Sequence, residues 1–123
     1  MSMSYWKQYW EETKGWETLE FEFGFATYEV QEDCIFIHHA YVRPDVRDKG
    51  IGKKLMFEVS KVAKKHGKLM LKNAVDLHTF TANKNLLRYL HNGARVWGIE
   101  HPFITLYLPL EDIEKNSKYE ELK

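Results

Sequence analysis

The sequence predicts an α/β domain built on a mixed sheet. Two observations carry that prediction. Between Cys34 and Val75 the apolar pattern runs at period two, then at period 3.6, then at period two again, which reads as strand, helix and parallel strand. On either side of that unit, strand-like runs separated by short turns read as antiparallel hairpins, and these make the sheet mixed. The length, 123 residues, suits one domain spanning residues 1–123, and 44% apolar residues is the composition of a chain that buries a core.

Each element has its own signal. Residues 4–13, SYWKQYWEET, place Trp6, Tyr9 and Trp10 at helical spacing, with Ser4 as cap and Gly15 as stop. From Trp16 to Val30 one strand is expected, because Leu19, Phe21, Phe23 and Phe25 alternate with Glu20, Glu22 and Gly24. Gln31, Glu32 and Asp33 turn the chain into a second strand, Cys34 to Val42. Ile51 to His66 puts apolar residues at 51, 55, 56, 59, 62 and 63 on one helical face, and Gly67 ends it. Residues 68–75 form the next strand, and Ala82 to Asn92 a further helix ended by Gly93. Residues 94–99 and 103–108 make the last hairpin about Glu100, His101 and Pro102. A charged tail, 111–123, follows as a loose helix.

Charge excludes some function classes. Lysine plus arginine equals aspartate plus glutamate, 18 each, so no general pull toward nucleic acid or an anionic membrane is expected. The single cysteine, Cys34, excludes an internal disulfide framework and fits a reducing, cytoplasmic location. No apolar run approaches the roughly 20 residues of a membrane span, and the opening MSMSYWKQYW is too polar and aromatic for a secretory signal. Nothing near Cys34 suggests an activated thiolate.

The informative stretch is Tyr41 to Met56, YVRPDVRDKGIGKKLM, where a strand passes into a helix through two glycines and several cations. A helix N-terminus presents unpaired N–H groups and partial positive charge, and glycines there admit a phosphate close to the backbone. Two phosphate cradles fail on spacing. A Walker loop would need a glycine at Asp45 and a hydroxyl at Lys54, and a dinucleotide fingerprint would need a third glycine at Leu55.

A third pattern matches. Val42 to Leu55 closely resembles the acetyl-coenzyme A signature of the GNAT acyltransferase superfamily, [RQ]-x-x-G-x-[GA], through Arg47, Gly50 and Gly52. Asn83 to Ala94, NKNLLRYLHNGA, is similar to that family's asparagine, helix, Tyr-x-x-x-Gly-Phe element. Tyr89 and Gly93 keep the spacing, Ala94 replaces the phenylalanine, and the asparagine is off register by about one residue. The resemblance spans residues 20–108 in element order and implies a GNAT-like mixed central sheet flanked by helices, with a shortened N-terminal part. It implies acetyl-CoA as co-substrate and no metal. Backbone N–H groups of Arg47, Asp48, Lys49, Gly50, Ile51, Gly52 and Lys53 are expected to hold the pyrophosphate, and Tyr41 and Val42 to pair with the pantetheine amides. Asn83 is expected to contact the cofactor, with Lys53, Lys84 or Arg88 reaching the ribose phosphate.

The implied reaction is acyl transfer from a thioester to a primary amine. By its spacing Tyr89 resembles the general acid that meets the departing thiolate, and its ordinary pKa near 10 keeps it protonated. The glutamate that many members carry near Phe36 is missing. His38, matching a histidine of some arylalkylamine acetyltransferases, is the candidate base. Strand alternation places Phe36, His38 and Ala40 on one face and Ile37, His39 and Tyr41 on the other, which argues against both histidines ligating one metal.

GNAT domains commonly place a strand and two helices ahead of the hairpin that leads to the signature. Here the first strand opens at Trp16, and the loop between the last two strands is confined to Ile99 to Pro102. Both walls of the acceptor site are therefore expected to be short, giving an open groove that suits a protein lysine or N-terminus over a free metabolite. Trp6, Trp10 and Trp16 either contact such a macromolecule, pack on the sheet, or join a homodimer that rebuilds the wall. The alternatives are a small-molecule amine acetyltransferase, an enzyme using a longer acyl group or modified nucleic acid, and a catalytically degenerate acetyl-CoA-binding module.

Overall fold

The computed structural model describes residues 5–47 and 50–115. Ser4, the expected cap of the first helix, lies outside them, as do Asp48, Lys49 and the tail beyond residue 115. The order is α1 (Tyr5–Lys14), β1 (Glu17–Phe21), β2 (Gly24–Val30), β3 (Cys34–Val42), a 3₁₀ turn (Pro44–Val46), α2 (Ile51–Lys65), β4 (Met70–Asp76), α3 (Ala82–His91), β5 (Arg95–Glu100), β6 (Phe103–Pro109) and α4 (Leu110–Lys115). The six strands form one mixed sheet in the order β1-β2-β3-β4-β6-β5. Among the described residues no helix is long and apolar enough to cross a membrane.

The expected single strand from Trp16 to Val30 is instead a tight hairpin, with Phe21 paired to Gly24 around Glu22 and Phe23. Two things fix the turn. The Phe23 carbonyl accepts the Arg43 N–H at 2.7 Å, tying the turn to the far end of β3. A Cβ at Gly24 would run into the Tyr41 carbonyl, so only glycine lets β2 pass there. Residues paired across a hairpin share a face, so Leu19 lies with Ala26 over the main core, while Phe25 points the other way, beside Tyr41. The phenylalanine alternation therefore spans two strands and two faces.

The other elements follow the sequence closely. β2 and β3 are antiparallel, and β3 and β4 are parallel with α2 between them. β6 runs antiparallel to both β4 and β5. Gly67 and Gly93, with φ of 69° and 100°, end α2 and α3 in the left-handed conformation that glycine supplies cheaply. One face of the sheet holds both apolar clusters. Leu55, Val59 and Ala63 of α2 pack on Ile35, Ile37 and Leu71, closed by Leu110 and Ile113 of α4. Ala82, Leu86 and Tyr89 of α3 pack on Val75 and Leu106. The opposite face carries α1, whose Trp10 stacks on Trp16 with ring centres 5.0 Å apart.

Gly24→Ala should cost about 1–3 kcal/mol, because the added carbon meets backbone rather than a movable side chain. Denaturant unfolding of the variant against wild type checks this, and an unchanged midpoint would contradict the close approach.

Candidate functional site

The site begins where two parallel neighbours separate. β3 and β4 pair from Cys34↔Met70 to Ile37↔Asn73. Past that point β3 continues beside β2 to Val42↔Gly24, and β4 continues beside β6 to Asp76↔Phe103. In the opening lies a cleft of about 750 Å³, a size ordinary for a small-molecule site. His38, His39, Ala40 and Tyr41 line it from β3, and Ala74, Val75 and Asp76 from β4. Asn85 and Tyr89 of α3 reach it from one face of the sheet, and Trp10 of α1 from the other.

A bulge shapes the β3 side. Tyr28 pairs with Ile37 but Thr27 pairs with His39, so His38 is the extra residue on β3. This corrects the expected alternation. Ala40, paired with Ala26, and Val42, packed on the main core, stay on the helix-covered face with Ile37. His38, His39 and Tyr41 fall together on the opposite face. Both imidazoles lie against Trp16, with ring centres 3.8 Å away for His38, nearly parallel, and 5.8 Å for His39. Trp10 and Trp16 thus pack on the sheet beside the cleft. Among the described residues no group of three or more histidine, cysteine, aspartate or glutamate side chains is placed to hold a metal ion.

The bulge also gives His38 a partner absent from the sequence reading. His38 Nε2 lies 2.9 Å from Glu29 Oε1, with the two side chains 21% and 39% exposed. The bond from His38 holds the Glu29 carboxyl below its ordinary value, outweighing the opposing effect of burial. Gln31 Nε2 donates to the same oxygen at 3.3 Å. Burial, then the neighbouring His38 charge, lowers the pKa of His39. Counting outward from the Gln31 to Asp33 turn pairs Glu29 with Phe36, which could have pointed to Glu29; the bulge that completes the contact has no such signal.

Tyr89 lies half-buried on α3, and burial pushes its phenol above the ordinary tyrosine value against the pull of Arg88. Asn85 lines the cleft, its Nδ2 donating to Thr81 Oγ1 at 3.1 Å; Asn83, two residues earlier on another face of α3, is exposed. Cys34 is fully buried, and burial raises its thiol pKa, as its unactivated sequence context suggested.

The described residues of the glycine-rich turn, Arg47 and Gly50 to Lys53, follow β3 and are not among the residues lining the cleft; Arg47 lies against Tyr41, which is. The Val42 carbonyl accepts Arg47 Nε at 2.8 Å, and the Arg47 guanidinium lies 5.3 Å from the Tyr41 ring centre. Arg43 clamps Asp45 with two contacts of 2.9 Å, bracing the 3₁₀ turn. Gly50 caps α2 with φ 80° and ψ 5°, a conformation glycine adopts without strain. A Cβ at Gly52 would meet nothing within 4 Å, and among the described residues no side chain caps the helix. The N–H groups of Ile51, Gly52 and Lys53 belong to the first turn of a 15-residue helix, its positive end. Lys53 is half-buried, and Lys84 and Arg88 are exposed.

The model of the acetyltransferase (GNAT) family matches residues 5–93. No curated protein matches the chain. Solved structures do. The PaiA N-acetyltransferase of Thermoplasma acidophilum, in complex with coenzyme A, is 23% identical over 71% of this chain and 53% of its own, with a TM-score of 0.61. An IAA acetyltransferase from Bacillus cereus is 21% identical over 71% of this chain and 69% of its own, with a TM-score of 0.57. A GNAT family acetyltransferase from Elizabethkingia anophelis, with acetyl-CoA bound, is 15% identical over 89% and 92%, with a TM-score of 0.66. At these identities the likeness is one of fold, and this chain spans about half the length of the Thermoplasma protein.

Proposed function

The chain belongs to the acetyltransferase (GNAT) family, and on that premise we propose that it moves an acetyl group from acetyl-CoA to a primary amine. The single observation that carries this is the parted edge of β3, followed along the chain by the N-terminus of α2, which Gly50 caps and which no side chain caps among the described residues. The residues present fit such a co-substrate. Gly50 supplies the left-handed turn, and Gly52 leaves room for a phosphate oxygen to reach the helix N–H groups. The β3 stretch from His38 to Val42, beyond its last pair with β4, offers main-chain groups to an extended amide chain as a sheet edge does. Acetyl-CoA supplies the activated thioester carbonyl.

An alkyl amine is mostly protonated near neutral pH, and only its free base attacks a carbonyl. His38 lines the cleft and takes that proton in this reading. The lowered pKa of His39 fits a neutral neighbour, since a second imidazolium beside the first is disfavoured. Tyr89 enters the cleft from the opposite face of the sheet. Its raised pKa keeps the phenol protonated but makes full transfer to a thiolate uphill. Its contribution is therefore an O–H donated to the sulfur as the C–S bond breaks.

The acceptor reading rests on openness. Tyr41 is 44% exposed at the cleft, and the β5–β6 turn is only His101 and Pro102. An open site gives a small amine little surface to bury, whereas a protein lysine or N-terminus adds contacts beyond the cleft.

Three measurements test this. Calorimetry on Gly52→Glu should show a loss of acetyl-CoA affinity of at least tenfold, because a carboxylate enters the phosphate space; unchanged affinity removes the cradle. Tyr89→Phe should lower kcat by about 10²-fold and leave acetyl-CoA binding nearly intact; an unchanged kcat assigns the thiolate to another donor. In steady-state assays a lysine-containing peptide should be preferred to free amines, and a free amine with kcat/KM above about 10⁴ M⁻¹s⁻¹ would make the acceptor a metabolite.

A further inference from the structure

The geometry points to Glu29 as the positioning residue that fixes His38 in the tautomer whose Nδ1 is the proton acceptor. The inference rests on the acetyl-transfer reading above and adds a residue to it. Three contacts converge on the His38 ring. Trp16 stacks on it at 3.8 Å with planes 14° apart, fixing the plane. Phe36 lies at 4.9 Å, limiting the swing. Glu29 Oε1 meets Nε2 at 2.9 Å, fixing the rotation within the plane.

An ionised carboxylate only accepts hydrogen bonds. The Nε2 atom facing it must therefore carry a proton, and in a neutral ring the other nitrogen, Nδ1, is then the acceptor. Glu29 is itself held. Gln31 Nε2 donates to the same oxygen, and Cys34 Sγ lies 3.5 Å from Gln31 Oε1. The carboxylate is thus anchored to the β2–β3 turn. The titratable neighbours of the ring are Glu29 on β2 and His39 on β3; α1 and the chain before β1 present the uncharged Trp10 and Trp16. On β4, Lys72 pairs with Phe36, but its ammonium is engaged by Asp33 at 3.6 Å and the Trp97 ring at 3.6 Å.

The proton balance is simple. A proton leaves the acceptor ammonium for Nδ1, giving an imidazolium that keeps its Nε2–H on Glu29. The freed nitrogen lone pair forms the C–N bond, the C–S bond breaks with its electron pair going to sulfur, and the second proton of the new amide nitrogen passes to that sulfur, so a neutral amide and a thiol leave. Imidazolium then returns its proton to water. Glu29 stays ionised throughout and stabilises the charged ring.

An exposed pair with a merely structural role would leave tautomer and turnover alone, so the test reads both. Side-chain 15N NMR of the full chain at a pH where the ring is neutral should show His38 protonated at Nε2. Glu29→Ala should lose that lock and lower kcat about tenfold or more, with KM for acetyl-CoA unchanged. Glu29→Gln, which keeps a neutral acceptor, should keep the tautomer and fall between. In a His38→Ala background Glu29→Ala should cost nothing further, because the residue acts only through the ring. Additive losses, or a tautomer indifferent to Glu29, overturn the inference. Failure of the acetyl-transfer reading looks different: wild type itself then moves no acetyl group to any amine, whatever the tautomer of His38.

Discussion

β3 and β4 stop pairing after Ile37 and Asn73, and the rest of the site depends on that separation. Neighbouring strands normally sit about 4.8 Å apart and satisfy each other's main-chain groups. Here each strand keeps its outer partner, β2 for β3 and β6 for β4, so the sheet opens without losing its two halves. The bulge at His38 coincides with the parting. An extra residue on one strand bends it and increases its twist, which carries β3 away from β4. Below the opening, α2 packs on both strands through Leu55, Val59 and Ala63, so the paired ends stay clamped.

That bulge also changes the chemistry the strand presents. Without it, His38 and His39 would lie on opposite faces, as simple alternation requires. With it, two imidazoles, a tryptophan stack and a carboxylate meet on one surface. A half-exposed contact of this kind adds little to stability, about 0–1 kcal/mol. Its recurring contacts through Gln31 and Cys34 therefore make better sense as control of a ring orientation than as a fold anchor.

Much of the architecture was legible because it is written in local signals. The helices over Ile51–Lys65 and Ala82–His91 end at Gly67 and Gly93, where the sequence reading ended them. The strand Cys34–Val42 and the glycine turn at the start of α2 were likewise placed from period and spacing. What failed was what depends on partners. The turn at Glu22 and Phe23 is made by the Arg43 N–H and the Tyr41 carbonyl, residues distant in sequence, so an unbroken alternation hid a hairpin. The bulge is a mismatch between two strands and has no signature on either. Asn85 lines the cleft and Asn83 does not, because a helix turns about 100° per residue, so a step of two residues selects a different face.

The separation also explains how Tyr89 and His38, the donor and acceptor of the proposed transfer, come to line one cleft. Tyr89 belongs to the face covered by α2 and α3, through its packing beside Val75 and Leu106. His38 belongs to the face covered by α1, through Trp16. A continuous sheet would hold these groups on opposite sides of a closed hydrogen-bonded layer, and no single atom could approach both. Because β4 leaves β3, the cleft passes through the layer, and both residues line it. Closing the ladder beyond Ile37 would thus remove more than the edge proposed for the co-substrate. It would part His38 from Tyr89, the proposed proton acceptor and O–H donor, while leaving both helices and both cores in place.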